Sequence, residues 1–199
     1  MCIRDRELRA SWGADEDAPV TPVVMLVSRI APEKNLHVVI QAFEQMRKIH
    51  PLARAGLQEQ HPDVFFAGMQ TGEPLAQHYA SGDIFLYPSL TETYGNVTIE
   101  AMASGLATVA YDYAAARQHI RHDVNGLLAP FADTDAFVTQ AKGLISDMDR
   151  VQRIRIAARE TVEALTWEHI MGEMEAVLID TLRKQGERNV QPALSAATD

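Results

Sequence analysis

The sequence predicts an α/β fold in which a doubly wound parallel sheet carries helices on both faces. Three short apolar runs, at residues 23–27, 84–87 and 107–111, are each followed by a segment whose apolar residues recur at helical spacing. This alternation of strand and helix favours a parallel sheet. The runs are apolar at successive positions, as expected for strands that helices cover from both sides. With 199 residues, 47% of them hydrophobic and 23% charged, the chain is large enough to bury one core.

Residues 1–20 are predicted to be a non-native start followed by an interdomain connection. Residues 1–6 lack the basic-then-apolar layout of a signal peptide. Their back-translation resembles the end of a transposase adapter used in sequencing libraries. We therefore expect that these residues are not native and that the natural protein continues upstream. A genuine, frayed N-terminus is the alternative.

The first strand leads into a loop, residues 28–35, that contains two cations. Asn35 is expected to cap the helix that follows, whose apolar positions begin at Leu36. Arg29 and Lys34 should point from the carboxyl end of the strand toward the crevice where open parallel sheets bind ligands. Two cations at that place suit a diphosphate. The alternative is that Arg29 and Lys34 are ordinary surface residues with no ligand.

One strand is predicted to be missing near Pro51. Residues 52–60 have a helical pattern directly after the preceding helix, which breaks the alternation that a doubly wound sheet requires. We expect that the sheet has lost a strand here, through a natural deletion or an error in the sequence. Residues 64–67 are predicted to form the next short strand.

The central segment predicts a strand, a polar loop and a helix. Residues 84–87 form a strand that ends at Pro88, and the helix begins at Gly95-Asn96 and ends before Gly105. Glu92 therefore lies in the loop and Glu100 in the helix. The free N–H groups of a helix start suit an anion.

The two carboxylates would repel a phosphate, so their expected partners are hydroxyls. Phosphate together with hydroxyls describes a sugar nucleotide. A solvated helix with a capping loop is the alternative for the same residues.

The remainder of the chain is predicted to be mainly helical. Helices are expected at 114–121, 133–145, 149–165 and 166–182, with a disordered tail at 185–199. His119 and His122 could share a helix face and bind a metal, but a surface or structural role is favoured because no third ligand is indicated. Asp123 and Asn125 indicate a turn rather than a calcium loop.

The central segment resembles a known family. Glu92 and Glu100, with seven residues between them, reproduce the E-x7-E signature of retaining glycosyltransferases of family four, which have the two-domain GT-B fold. The block PSLTETYGN…EAMASG around these glutamates is the most specific part of the resemblance, which extends from about residue 6 to residue 184. The loop SRIAPEKN resembles the family's G-R-x-x-x-E-K-N/G block, with Ser28 in place of the commoner glycine.

The resemblance implies that the chain is the Rossmann-like, C-terminal half of a GT-B enzyme. Residues 21–165 would bind a nucleotide sugar, and residues 166–184 would form the helix that crosses back to the N-terminal domain. The implied catalytic residues are Glu92, Arg29 and Lys34. By resemblance, Arg29 and Lys34 hold the diphosphate, Glu100 binds the ribose and Glu92 binds hydroxyls of the transferred sugar. The backbone of Gly95, Asn96 and Val97 would complete the site, and Met69 would either contact the base or serve in packing.

The implied activity is sugar transfer, with retention, from a UDP- or GDP-sugar to an acceptor. The resemblance implies no metal cofactor, a lipid as the preferred acceptor, and an acceptor domain upstream without which this chain would be an inactive fragment. A non-catalytic nucleotide-sugar-binding module is the first alternative. A dinucleotide-fold oxidoreductase is the second, and the absence of G-x-G-x-x-G after the first strand counts against it.

Charge and composition bear on partners and location. The net charge of −9 argues against nucleic acid as a partner. The sequence has no apolar run long enough to span a bilayer, and its one cysteine, Cys2, fits a reducing compartment. We therefore expect a cytoplasmic protein, peripheral at the inner membrane if the acceptor is a lipid.

Overall fold

The computed structural model describes residues 6–12, 21–49, 65 and 67–195, with side-chain burial described from Glu7 to Gln185 within those ranges. Two compact units divide between Val162 and Glu163. The elements are α1 (Arg6–Ser11), β1 (Val24–Met25), a 3₁₀ turn (Pro32–Lys34), α2 (Leu36–Ile49), α3 (Gly72–Ser81), β2 (Ile84–Tyr87), α4 (Asn96–Ala103), β3 (Ala107–Tyr111), α5 (Ala114–His119), β4 (Leu127–Ala129), α6 (Thr134–Ile145), α7 (Met148–Glu163) and α8 (Trp167–Ser195).

The four described strands form one parallel sheet in the order β1-β2-β3-β4. Ile84 pairs with Ala107, and Val109 pairs with Leu127. Since all strands run in the same direction, their carboxyl ends meet at one edge, from which the loops after β1, β2 and β3 emerge. The predicted fold class, a parallel α/β sheet, is confirmed.

Helices cover both faces of the sheet because successive strand residues point to opposite sides. Ile84 and Leu86 pack in a core with residues of α2 and α6, whereas Phe85 and Tyr87 pack in a second core with residues of α3 and α4. All four residues of β2 are at most 4% exposed. This strand is therefore the buried support of the loop that follows it.

Several predicted elements near the N-terminus differ from the structure or lie outside its described part. β1 covers only Val24–Met25, shorter than residues 23–27, and pairs with β2 alone among the described strands. Residues 50–64 lie outside the described residues, and with them the helix at 52–60 and the strand predicted to be missing near Pro51. Of the strand predicted at 64–67, Phe65 and Ala67 are described, and neither belongs to a strand.

A buried carboxylate, Asp83, fixes the start of β2. It is 1% exposed and accepts hydrogen bonds from Arg9 Nη1 at 3.1 Å, Arg155 Nη1 at 2.8 Å and the backbone N–H of Val23 at 2.9 Å. Arg9 belongs to α1 and Arg155 to α7, so one side chain joins two helices and two strands. This carboxylate can be buried at little cost in free energy because its oxygens accept hydrogen bonds.

The turn between α5 and β4 has a similar buried polar anchor, Asn125. Its Oδ1 accepts from the N–H of Arg121 at 2.7 Å, and its Nδ2 donates to the carbonyl of His119 at 3.0 Å and to Thr161 Oγ1 at 2.8 Å. The predicted turn at Asp123 and Asn125 is confirmed. The anchor explains why a polar residue is fully buried there.

The C-terminal unit is dominated by α8, which extends to Ser195. The disordered tail predicted from residue 185 was therefore wrong for residues 185–195. Six of the eleven residues in that stretch are Gln, Glu, Arg, Ala or Leu, which are good helix formers, although Gly186 and Pro192 are not. The described large apolar side chains of α8 are more than 40% exposed, as Trp167, Ile170 and Met174 show. No helix within the described residues is long and apolar enough to cross a membrane.

Candidate functional site

The candidate site lies at the edge where the strands' carboxyl ends meet, the usual ligand-binding edge of such sheets. The loop after β1 supplies Arg29 and Lys34, and the loop after β2 supplies Glu92 and Gly95. As predicted, Glu92 lies in a loop and Glu100 lies in the helix α4.

Lys34, the last residue of the 3₁₀ turn, is buried and fully partnered. Its Nζ donates to Tyr87 Oη at 3.3 Å, Ser89 Oγ at 3.1 Å and the carbonyl of Thr91 at 3.1 Å, and it forms an ion pair with Glu92 Oε1. An ammonium group has three N–H donors, so these acceptors already occupy it. The prediction that Lys34 reaches the binding edge agrees with this geometry, but its direct partner there is a carboxylate.

Glu92 is held through one of its two carboxylate oxygens. Oε1 accepts from Tyr87 Oη and Ser89 Oγ, both at 2.6 Å, and from Lys34. Within the part of the chain that the structure describes, no donor reaches Oε2. Burial would raise the pKa of this carboxyl, but hydrogen bonds from Lys34, Ser89 and Tyr87 outweigh it and lower the pKa of Glu92. The group is therefore a carboxylate at neutral pH, with one oxygen left for a ligand.

Glu100 is exposed on the second turn of α4, and its carboxylate has one hydrogen-bond donor among the described residues. Tyr79 Oη donates to its Oε2 at 3.0 Å. Tyr79 is 3% exposed, and burial, followed by the negative charge of Glu100, raises the pKa of its hydroxyl. The phenol therefore stays protonated and acts as a donor to Glu100.

The start of α4 requires glycine. Gly95 has φ 104° and ψ 44°, a conformation that other residues rarely adopt. A Cβ at this position would lie 3.1 Å from Cβ of Ala115. This turn leaves the first N–H groups of the helix, beginning at Asn96 and Val97, directed away from the helix body, where an anion can accept from them.

Arg29 and Met69 lie in more open surroundings. Arg29 is 82% exposed, and its Nη2 lies 3.6 Å from Glu33 Oε1. Met69 is 93% exposed. Both line a cavity of about 700 Å³ whose walls are mainly apolar, with residues 23–27 and side chains of α2 among them. Neither signature glutamate lines that cavity; Glu92 lines a second pocket that has room for about one water molecule.

The sequence did not identify three residues of the site: Tyr79, Tyr87 and Ser89. Ser89 belongs to the PS pair of the central block and could have been noted from its position. Tyr87 ends the apolar run that predicts a buried strand, and its ring lies in the core together with that of Tyr79. Only the three-dimensional structure shows that their hydroxyls reach the glutamates.

No group of three or more His, Cys, Asp or Glu side chains suited to a metal ion occurs among the described residues. His119 instead makes a 2.8 Å hydrogen bond between its Nε2 and Tyr94 Oη, and His122 Nδ1 accepts from the N–H of Leu128 at 3.0 Å. Both histidines therefore have structural partners, as the favoured prediction for them stated.

Comparison with known proteins decides the family. The sequence profile of the family described as glycosyl transferases group 1 matches residues 21–147, which include every residue of the candidate site. The chain belongs to this family. A GDP-mannose-dependent alpha-mannosyltransferase from Mycolicibacterium smegmatis is 34% identical over 185 residues, covering 88% of this chain and 48% of that protein.

Solved structures of group 1 and related glycosyltransferases share the fold. The Anabaena protein Alr3699/HepE in complex with UDP-glucose matches with a TM-score of 0.69 and 23% identity, over 88% of this chain and 52% of that one. The C-terminal domain of a group 1 glycosyl transferase (LpcC) from Francisella tularensis matches with a TM-score of 0.66 and 21% identity, over 79% of this chain and 92% of that domain. The chain thus spans about half the length of the curated relatives it matches and nearly all of an isolated C-terminal domain.

Proposed function

We propose that this chain is the donor-binding half of a retaining glycosyltransferase that uses a nucleoside-diphosphate sugar. The observation that carries the proposal is the Lys34–Glu92 pair in front of the start of α4. There a cation, a carboxylate with one open oxygen and free helix N–H groups meet at the ligand-binding edge of the sheet. Diphosphate and sugar hydroxyls are the ligand groups that these three features complement.

Each site residue has a role in this proposal. Arg29, the most exposed cation of the site, contacts the diphosphate. Lys34 exchanges one of its protein acceptors for the diphosphate and keeps its ion pair with Glu92. Glu92 accepts from hydroxyls of the transferred sugar through Oε2, and Glu100 accepts from the ribose. The backbone of Gly95, Asn96 and Val97 binds the sugar or phosphate at the start of α4.

The chemistry proposed is front-face displacement with retention of configuration. The bond from the anomeric carbon to the diphosphate breaks as the acceptor hydroxyl bonds to that carbon, and the leaving diphosphate takes the hydroxyl proton. The protein orients the donor and stabilises the charge that develops on the leaving group. Two side-chain cations, Arg29 and Lys34, supply positive charge without a metal.

The acceptor site is proposed to lie on a part of the protein that this chain does not contain. The chain matches only about half of the length of its relatives, and in this proposal its site residues bind the donor. A lipid at the inner face of the membrane is our preferred acceptor. We therefore expect the chain alone to bind donor without transferring sugar, so a binding assay tests the function directly.

The test is calorimetry on the whole chain with GDP, GDP-mannose, UDP, UDP-glucose and NAD. GDP-mannose is the first donor to try because a relative at 34% identity is named for it. We expect one nucleoside diphosphate and the corresponding nucleotide sugar to bind, and NAD not to bind. Binding of NAD alone would support the oxidoreductase alternative, and sugar transfer by the chain alone would contradict the missing acceptor half.

A further inference from the structure

Two buried tyrosine hydroxyls reach the two signature glutamates. Tyr79 Oη donates to Glu100 Oε2 at 3.0 Å, and Tyr87 Oη donates to Glu92 Oε1 at 2.6 Å. The tyrosines are 3% and 4% exposed, so both hydroxyls donate from the interior, to a half-buried carboxylate at Glu92 and an exposed one at Glu100. Each carboxylate is therefore tied by a hydroxyl to the interior of the domain.

The two tyrosines belong to one aromatic row. Phe85 lies between them, with its ring centroid 6.0 Å from that of Tyr79 and 5.6 Å from that of Tyr87. Phe85 is fully buried, and the row is part of the core that α3 and α4 form against β2. Since protein interiors are close-packed, neither ring can turn without disturbing that core. The row holds both hydroxyls in fixed positions.

A hydrogen bond to one oxygen of a carboxylate restricts the directions in which its other oxygen can point. Glu92 uses Oε1 for its protein donors and Glu100 uses Oε2 for Tyr79, so Glu92 Oε2 and Glu100 Oε1 have no donor among the described residues. Hydrogen bonds weaken steeply when the donor approaches off-axis. The orientation of these two oxygens thus decides how well hydroxyls of a ligand are bound.

We propose that Tyr79 and Tyr87 are positioning residues, Tyr79 for the recognition of the ribose by Glu100 and Tyr87 for the recognition of the transferred sugar by Glu92. The inference rests on the proposed function, because it requires both glutamates to bind hydroxyls of a nucleotide sugar. The inference adds that a single aromatic row sets the position of Glu100 relative to that of Glu92.

Two substitutions, Tyr79→Phe and Tyr87→Phe, test the proposal, and each controls for the other. Both keep the ring and remove one buried hydroxyl from the same row, so a general loss of packing would affect them alike. We expect Tyr79→Phe to weaken GDP and GDP-mannose equally, by about tenfold, which is typical for one hydrogen bond to a charged group. Tyr87→Phe should weaken GDP-mannose about tenfold more than GDP, whose affinity can also change because Tyr87 Oη accepts from Lys34 at 3.3 Å.

The measurement is calorimetry on the whole chain, with UDP and UDP-glucose as the probes if those bind more tightly. In the double variants Tyr79→Phe/Glu100→Gln and Tyr87→Phe/Glu92→Gln, the tyrosine change should add nothing to the glutamate change. Additive losses, or equal effects of both tyrosine changes on both ligands, would overturn the positioning role.

Two further replacements test the proposal even if the phenylalanine variants do not fold. Replacing either tyrosine by 4-aminophenylalanine keeps a donor on the ring and should restore binding, whereas 4-cyanophenylalanine, an acceptor only, should not. Equal binding by these two replacements overturns the proposal. If the unaltered chain binds none of the four nucleotides, the proposed function fails as well; if it binds them and the tyrosine variants match it, only the positioning role fails.

Discussion

The ammonium of Lys34 and the carboxylate of Glu92 are direct partners, although they come from loops that follow different strands. Their side chains are 10% and 15% exposed, and the same carboxylate oxygen accepts from Tyr87 and Ser89. A diphosphate that approaches Lys34 must therefore share the ammonium with Glu92. It follows that the charge of Glu92 opposes binding of the diphosphate while its free oxygen favours binding of the sugar.

Glu92→Gln should consequently change the affinities for GDP and for GDP-mannose in different ways. Loss of the negative charge frees Lys34, so the affinity for GDP should stay equal or rise. The affinity for GDP-mannose relative to GDP should fall by roughly 1.5–3 kcal/mol, the range for a hydrogen bond to a charged group. Calorimetry with both ligands measures this, and Glu160→Gln on the exposed face of α7 is the matched control. Equal weakening of the two ligands would contradict the role assigned to Glu92.

The same ion pair predicts how stability depends on pH. The folded-state pKa of Glu92 is lowered, so the unfolded chain binds a proton more readily than the folded chain. The contribution of Glu92 to stability is then complete above the ordinary glutamate pKa of about 4.3 and is lost as the pH falls through the lower folded value. The difference in unfolding midpoint between the unaltered chain and Glu92→Gln, measured from pH 7 to 3, should shrink toward zero at the acid end. A difference that is constant over this range would show that the pair does not stabilise the fold.

The strand–helix order and the place of both glutamates could be predicted because they depend on local patterns. Apolar periodicity identifies β2 and α4, and Pro88 and Gly95 mark the loop between them. The partners of Lys34 could not be predicted, because Glu92 is 58 residues away and only the sheet brings the two together. A cation after a strand looks free to bind a ligand until its neighbours in space are known.

The residues that fix β2 were missed for the same reason. Arg9 and Arg155 are 74 and 72 residues from Asp83, and nothing in the local sequence connects them. The end of α8 was misjudged for a different reason. A polar segment with good helix formers suits either a solvated helix or a disordered tail, and pattern alone does not separate these.

Asp83→Ala should destabilise the domain strongly. It removes the carboxylate partner of two partly buried arginines, which keep backbone acceptors, and the acceptor of the N–H of Val23. Breaking a buried pair on one side typically costs about 3–5 kcal/mol. Asp112→Ala, which removes the exposed pair with Arg117, should cost much less, because water screens such a pair. Urea unfolding of both variants measures the difference. Similar losses would mean that the buried network contributes no more than a surface pair.

Gly95→Ala should cost more than an alanine at another left-handed glycine. At Gly95 the φ of 104° is unfavourable for alanine, and the added Cβ would also lie 3.1 Å from Cβ of Ala115. At Gly68, with φ 67°, the Cβ meets nothing within 4 Å, so only the backbone cost of ~1–2 kcal/mol applies. Gly95→Ala should therefore have a lower unfolding temperature than Gly68→Ala. Donor binding should fall in the Gly95 variant, because the loop that carries Glu92 must shift.

Arg29→Ala should weaken GDP and GDP-mannose alike, since Arg29 is assigned to the diphosphate that both contain. Arg29 is highly exposed, so the loss should be about fivefold at low salt, as expected for ~1 kcal/mol between charges in water. The loss should shrink as sodium chloride rises from 20 to about 300 mM, because added ions screen exposed charges. Arg153→Ala removes an equally charged, 69% exposed side chain from α7 and should leave both affinities unchanged at every salt concentration. If Arg153→Ala weakens GDP as much as Arg29→Ala does, the effect belongs to net charge and not to a contact with the diphosphate. A loss at Arg29 that is confined to GDP-mannose would instead move this residue from the diphosphate to the sugar.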